Sequence, residues 1–125
     1  MEKEVVYRDL SYKIVGILFS VHNELGRFRS EKQYADAIEK CLQESGLTYE
    51  REKAALPSFE GEQAGHNKLD FLIEDKVVLE LKAKRVLNRE DYLQLMRYLK
   101  SADKRLGILA NFHQKYLTPK RILNG

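Results

Sequence analysis

Apolar residues at helical spacing predict two helices in the first third of the chain. From Asp9 to Leu25 they recur every three or four positions, and Gly26 follows as a stop signal. A second helix begins at Ser30, where Gln33 completes a capping box. Its apolar pattern runs to a second stop signal, the glycine at position 46.

The remaining pattern alternates between strands and one more helix. The predicted strands are Leu47–Leu56, Lys68–Ile73, Val77–Lys82, Arg105–Asn111 and a last short one, Lys120–Leu123. The polar segment Ser58–Asn67 is predicted to be an exposed hairpin loop. Asn88 caps a third helix, with Asp91 at its third position, and this helix runs to about Ala102. The order α-α-β-β-β-α-β, without repeats or linkers, predicts one α/β domain over residues 1–125.

The register of the central hairpin follows from burial. Its two strands are separated by Glu74-Asp75-Lys76, and a three-residue loop makes one face wholly apolar. The pairs on that face are Ile73–Val77, Phe71–Leu79 and Leu69–Leu81. The pairs on the other face are Leu72–Val78, Asp70–Glu80 and Lys68–Lys82. A two-residue loop would instead oppose apolar to polar side chains along the ladder, so we predict the three-residue loop.

This register brings two acids and a lysine together. The Cβ atoms of Asp70 and Glu80 would lie roughly 5 Å apart, close enough to share one cation. Lys82 follows Glu80 by two residues and points to the same face. Two carboxylates beside an ammonium group suit metal-dependent cleavage of a phosphodiester. The spacing alone is a weak pattern, because polar residues on one face of a hairpin are often simply solvated.

Charge is distributed unevenly along the chain. Residues 1–81 carry 11 Lys and Arg against 16 Asp and Glu, whereas residues 82–125 carry 11 against 3. A basic half that begins at the candidate site suits a phosphate backbone, although lysine-rich surfaces also serve solubility. The side chains predicted to contact phosphates are Lys84, Arg85, Arg89, Arg97 and Lys100. The aromatic residues form no stripe that would indicate stacking along a single strand.

Composition restricts the class of protein. The chain has 125 residues, 43% of them hydrophobic, which suits one packed domain. It has no run of 18 apolar residues and no signal-peptide pattern at its start, so no membrane span is expected. The single cysteine, Cys41, has no disulfide partner within the chain and is expected to be buried or half-buried. A cytoplasmic protein is the expectation.

Two further positions have both an ordinary and a functional interpretation. Glu31 lies in the first turn of the second helix, where an acid interacts favourably with the helix dipole and needs no other role. It is also a candidate third metal ligand. Gln94 shares a face of the third helix with Tyr98, with Arg97 beside them. Gln94 is a site residue only if this face lies against the acidic face of the hairpin.

Nearly the whole chain resembles the GxxExxY proteins, a prokaryotic family within the PD-(D/E)XK nuclease superfamily. The segments that carry the resemblance are VHNELG (21–26), Glu31 with Tyr34, LDFLIEDKVVLELKA (69–83), QLMRYLK (94–100), LGILANF (106–112) and KRILN (120–124). The resemblance implies a restriction-endonuclease-like αβββαβ core with a mixed sheet flanked by helices, plus an extra N-terminal helix. One departure is Phe28, which stands where the family has its first signature glycine, so the loop before the second helix must differ.

The resemblance also implies residue roles. Asp70 and Glu80 match the metal-binding acids, Lys82 the motif lysine, Glu31 the additional helix acid and Gln94 a frequent site glutamine. We therefore predict a nuclease that uses Mg²⁺ or Mn²⁺, held by Asp70, Glu80, Glu31 and the Leu81 carbonyl. Its expected substrate is nucleic acid, with DNA the expected type. Selectivity would come from loops or from a homodimer. The alternatives are a non-catalytic module that binds nucleic acid or protein, and a purely structural domain.

Overall fold

A computed structural model describes residues 5–54, 60–61 and 68–125. The elements in these ranges are α1 (Arg8–Leu25), α2 (Glu31–Glu44), β1 (Tyr49–Ala54), β2 (Lys68–Ile73), β3 (Val77–Lys82), α3 (Arg89–Ala102), β4 (Leu106–Asn111) and β5 (Lys120–Leu123). The predicted order of elements is confirmed, and β5 is a full strand. Most of the predicted loop Ser58–Asn67, and the predicted end of β1 at Leu56, lie outside the described residues.

The five strands form one mixed sheet in the order β1-β2-β3-β4-β5. Strand β2 runs antiparallel to both β1 and β3, β4 is parallel to β3, and β5 is antiparallel to β4. The parallel connection passes through α3. The segment from α2 to β4 therefore has the predicted αβββαβ order, and α1 is the extra N-terminal helix. Because β3 and β4 are parallel and in register, Lys82 and Asn111 pair at their shared carboxyl end.

Helices cover both faces of the sheet. On one face, α1 and α2 pack through residues such as Leu18, Tyr34 and Ile38 against inward-facing side chains of β2, β3 and β4. On the other face, α3 packs through Leu95 and Leu99 against a smaller apolar cluster. None of these helices, within the described ranges, has the length and apolar content needed to cross a membrane.

Capping boxes define where α2 and α3 begin. The Ser30 hydroxyl accepts from the Gln33 amide, and the Gln33 side chain accepts from the Ser30 amide, as predicted. Asn88 and Asp91 make the equivalent pair at the start of α3. Each box satisfies amide groups that have no partner within the helix. The boxes also fix the position of Glu31, the first residue of α2.

The predicted register of the β2–β3 hairpin is confirmed for the three residue pairs nearest the turn. Phe71 pairs with Leu79, Leu72 with Val78 and Ile73 with Val77. The prediction was wrong for Leu69, which packs in the cluster on the α3 side instead of joining Phe71 on the other face.

The reason lies in a break of the ladder at Asp70. Backbone pairing of β2 with β3 stops at the pair formed by Phe71 and Leu79. On the other edge, pairing of β1 with β2 skips Glu52 opposite Asp70, and Glu52 has a φ of 57°. A single left-handed residue changes the direction of the strand, and strict alternation of side chains fails there.

Candidate metal centre and active site

Asp70 and Glu80 are held together where β2 and β3 separate. The Asp70 amide donates to Glu80 Oε1 at 2.9 Å, and the Leu81 amide donates to Asp70 Oδ2 at 2.7 Å. These bonds satisfy backbone groups that a continued ladder would have paired. Glu80 is only 4% exposed. The structure therefore brings the two predicted acids side by side, through reciprocal bonds from side chain to backbone.

A buried carboxylate and a half-buried one in contact are electrostatically unfavourable when both are ionised. Burial raises the pKa of Glu80 to about 9, with repulsion from Asp70 as the next cause. Burial also raises the pKa of Asp70, against the opposing effects of the Leu81 amide and the Lys82 ammonium. The pair is thus stabilised by taking up a proton or a cation. Hard, clustered carboxylate oxygens of this kind fit Mg²⁺ or Mn²⁺.

Lys82 joins this pair to helix α3. Its Nζ donates to Gln94 Oε1 at 2.9 Å and lies 3.9 Å from Asp91 Oδ1. The face of α3 that carries Gln94 therefore lies against the polar side of the hairpin. This is the arrangement on which the predicted role of Gln94 as a site residue depended. The contact fixes the ammonium group near the end of β3, two residues beyond Glu80.

Asp91 links the site lysine to a second lysine. Lys84 Nζ lies 3.0 and 3.1 Å from the two carboxylate oxygens of Asp91, and the Asn88 amide donates to the same carboxylate. Burial raises the pKa of Asp91, but the Asn88 amide and Lys84 lower it more, and the net shift is downward. Asp91 therefore stays ionised and compensates the charge of Lys84.

Glu31 borders the two acids from helix α2. Burial is the largest cause of its raised pKa, followed by repulsion from Asp70. A cavity of about 230 Å³ separates these elements and is lined by Glu31, Asp70 and Leu81, together with Lys32, Ala35, Arg51 and Glu52. Among the residues that the structure describes, no three His, Cys, Asp or Glu side chains converge tightly enough to hold one ion. Glu31 thus lines the same cavity as Asp70 and Leu81.

Two residues near this centre were not assigned a role from the sequence. Tyr98 is 4% exposed, and burial followed by the charges of Glu80 and Asp70 raises its pKa to about 12. Its spacing of four residues from Gln94 was the available signal. Asn111 ends β4 opposite Lys82, and its Oδ1 accepts from the Lys84 amide at 3.1 Å. The meeting of parallel strands at their carboxyl ends was the signal for Asn111.

The predicted phosphate-contacting side chains are not equally available. Arg97 is paired with Glu90 at 2.8 Å, and Lys84 is paired with Asp91. Arg85, Arg89 and Lys100 are exposed. No carboxylate in the described part of the chain lies within ion-pair distance of these three.

A mixed sheet that brings the half-buried Asp70, the buried Glu80 and Lys82 together where β2 and β3 separate defines a nuclease-like α/β domain. The model of the PD-(D/E)XK nuclease superfamily matches residues 8–122, and the chain belongs to this superfamily. A comparison with curated proteins gives no match, and neither does a comparison with solved structures. The expected superfamily and its fold are therefore confirmed.

Proposed function

We propose that this domain is a metal-dependent nuclease that hydrolyses phosphodiester bonds in nucleic acid, with DNA the favoured type. The observation that carries the proposal is the pair formed by the half-buried Asp70 and the buried Glu80, with Lys82 two residues beyond Glu80. We also propose that the chain lies in the GxxExxY group of prokaryotic proteins. Residues 1–125 would act as one domain, because the described helices all pack on one sheet. We propose a cytoplasmic location for it.

Asp70 and Glu80 would hold Mg²⁺ or Mn²⁺ together with the Leu81 carbonyl. When bound, such an ion polarises the phosphoryl oxygen and makes water a stronger nucleophile at neutral pH. The reciprocal bonds between Asp70, Glu80 and Leu81 fix both carboxylates before any ligand arrives. Preorganised ligands avoid the entropy cost of ordering side chains during the reaction. Glu31 would contribute from across the cavity, most simply through a water molecule.

Lys82 would orient the attacking water and stabilise the negative charge that develops on the phosphate. A lysine cannot be a metal ligand while it is protonated, so its role is separate from that of the acids. Gln94 holds the lysine by accepting from Nζ, and the Asp91 carboxylate lies 3.9 Å from the same nitrogen. Gln94 and Asp91 are therefore positioning residues for Lys82.

Cleavage of end-labelled oligonucleotides tests the proposal. Wild type, Asp70→Asn and Lys82→Ala are compared on single-stranded and duplex DNA and RNA with Mg²⁺, with Mn²⁺ and with a chelator. The matched control is Asp75→Asn, an exposed acid in the turn of the same hairpin, at the opposite end of β3 from Lys82. We expect cleavage only by wild type and the control, and only with metal. Cleavage that survives Asp70→Asn, or that needs no metal, would reject this site.

A second candidate is a non-catalytic module that binds nucleic acid on the nuclease fold. It is favoured by the lack of three converging ligand side chains among the described residues. In that case wild type and Asp70→Asn would bind DNA equally, and neither would cleave it. A homodimer would extend the contact along a duplex. Sedimentation of the free and the DNA-bound protein measures whether two copies associate.

A further inference from the structure

Two aromatic rings project from loops next to the candidate site. Phe28 is 84% exposed and Tyr116 is 77% exposed. Each is accompanied by its own cation, since the Arg27 guanidinium lies 5.0 Å from the Phe28 ring centre and Lys115 Nζ lies 5.4 Å from that of Tyr116. Each cation lies over one face of its ring, so the opposite face can receive a base while the cation meets an adjoining phosphate.

The loops that carry these rings are tied to each other. His113 Nε2 lies 2.8 Å from the Arg29 carbonyl oxygen, so the two loops are in direct contact. Phe28 immediately precedes Arg29. Tyr116 is three residues beyond His113, which is at most about 11 Å of chain. The rings therefore belong to one neighbourhood of the surface.

This neighbourhood adjoins the catalytic elements. Glu31 begins α2 two residues after Arg29. On the other loop, the Phe112 amide donates to the Lys82 carbonyl at 2.9 Å. Both loops therefore adjoin elements that carry predicted site residues, Lys82 on β3 and Glu31 on α2.

The loop that carries Phe28 is fixed by Tyr34. The Tyr34 hydroxyl donates to the Gly26 carbonyl at 2.6 Å and accepts from the Arg29 amide at 3.1 Å. The Tyr34 ring is fully buried and stacks on Phe112 at 4.4 Å between ring centres. Phe28 is consequently exposed on a loop whose two ends are hydrogen-bonded to the core, and little ordering is needed when a ligand binds.

We infer that Phe28 and Tyr116 are stacking platforms for unpaired bases, which makes nucleic acid with unpaired nucleotides at the cleaved position the preferred substrate. This inference rests on the proposed nuclease function and specifies its substrate class. Bases within a duplex are already stacked on their neighbours, whereas an unpaired base offers its whole face. Arg27, Arg29 and Lys115 supply positive charge for the adjoining phosphates. Within the described residues, no carboxylate lies at ion-pair distance from these three cations.

Fluorescence anisotropy in the presence of a chelator measures the binding without cleavage. The probes are a labelled single strand, its duplex, and a strand of the same length with abasic nucleotides at its centre. Phe28→Ala and Tyr116→Ala are compared with Phe28→Tyr and Tyr116→Phe, which keep the rings. The matched control is Tyr12→Ala, because Tyr12 is 82% exposed but lies on α1.

Each alanine variant should bind the single strand about 5- to 150-fold more weakly, the usual effect of losing one stacked base. Its affinity for the duplex and the abasic strand should stay near that of wild type. The ring-keeping variants and the control should bind all three probes as wild type does. Because the rings are exposed, thermal unfolding should be unchanged in every variant.

The inference is overturned if the alanine variants bind the single strand as wild type does, an outcome that would leave the rings as a contact for a protein partner. It is equally overturned if they lose affinity for all three probes alike. If the alanine variants lose single-strand affinity as expected but wild type cleaves nothing, the stacking platforms are supported and the nuclease function is rejected. Metal-dependent cleavage that neither alanine substitution changes would support the nuclease function and reject the stacking platforms.

Discussion

Replacing Glu80 by Gln should stabilise the metal-free protein at neutral pH. Glutamine keeps the shape of the side chain and the oxygen that accepts from the Asp70 amide, but it removes the buried charge. Burial and repulsion from Asp70 raise the pKa of Glu80 in the folded protein to about 9, from 4.5 as the reference value. Because the folded protein binds this proton more tightly than the unfolded chain does, the free energy of unfolding is highest below about pH 4.5. It then falls as the pH rises toward 9.

The size of the effect follows from this difference. One pKa unit corresponds to 1.36 kcal/mol, so at pH 7 the metal-free wild type has lost roughly 3 kcal/mol relative to its protonated form. Because glutamine is always neutral, the free energy of unfolding of Glu80→Gln does not fall in this way as the pH rises. We expect it to be about 2–3 kcal/mol more stable than wild type at pH 7, and less than about 1 kcal/mol more stable at pH 5.

Urea unfolding with a chelator at the two pH values gives these free energies. Glu90→Gln is the matched control, because Glu90 is exposed and paired with Arg97, and its loss should have little effect. Adding Mg²⁺ or Mn²⁺ should then reverse the order. A ligand at 1,000 times its Kd stabilises wild type by about 4.1 kcal/mol, more than the difference expected at pH 7, and should stabilise the variant far less. Equal unfolding free energies for wild type and Glu80→Gln at both pH values would refute this electrostatic account.

Three further predictions concern the surroundings of the acids. Lys82→Ala should retain metal binding in calorimetry but cleave on the order of 100-fold more slowly, and full activity would remove Lys82 from the mechanism. Arg89→Ala should weaken DNA binding similarly for all sequences and make the salt dependence shallower by roughly one unit. Lys76→Ala, in the distant hairpin turn, should leave that dependence unchanged. Asp91→Ala removes the carboxylate that accepts from the Asn88 amide and from Lys84 Nζ, so the free energy of unfolding in urea should fall by roughly 2 kcal/mol. An unchanged urea midpoint would argue against a stabilising role for these hydrogen bonds.

The regular elements were predictable because local patterns decide them. The capping boxes at Ser30 and Asn88 and the burial of one hairpin face are short-range features that the structure confirms. Leu69 was not predictable, because the ladder breaks beside it at Asp70, opposite a left-handed backbone conformation at Glu52 in the neighbouring strand. Nothing in the residue type of a glutamate indicates that conformation.

The surroundings of the site depend on contacts between elements that are distant in sequence. The contact of Gln94 with Lys82 requires α3 to cross the hairpin, and only the family resemblance indicated it. Asp91 was predicted as a capping residue, and its second role toward Lys84 appears only in three dimensions. Phe28 and Tyr116 lie in loops, where periodicity carries no information. The available signal was the cation that directly precedes each ring in the sequence.

The central claim is that Asp70 and Glu80 together hold the catalytic cation. Anomalous diffraction from crystals soaked in Mn²⁺ tests it most directly, because the scattering locates the ion independently of any assumed ligands. The account predicts one peak within coordination distance of a carboxylate oxygen of Asp70 and one of Glu80, which Asp70→Asn abolishes. A peak held by other acids, or no peak between these two in well-ordered crystals at saturating Mn²⁺, would contradict the account.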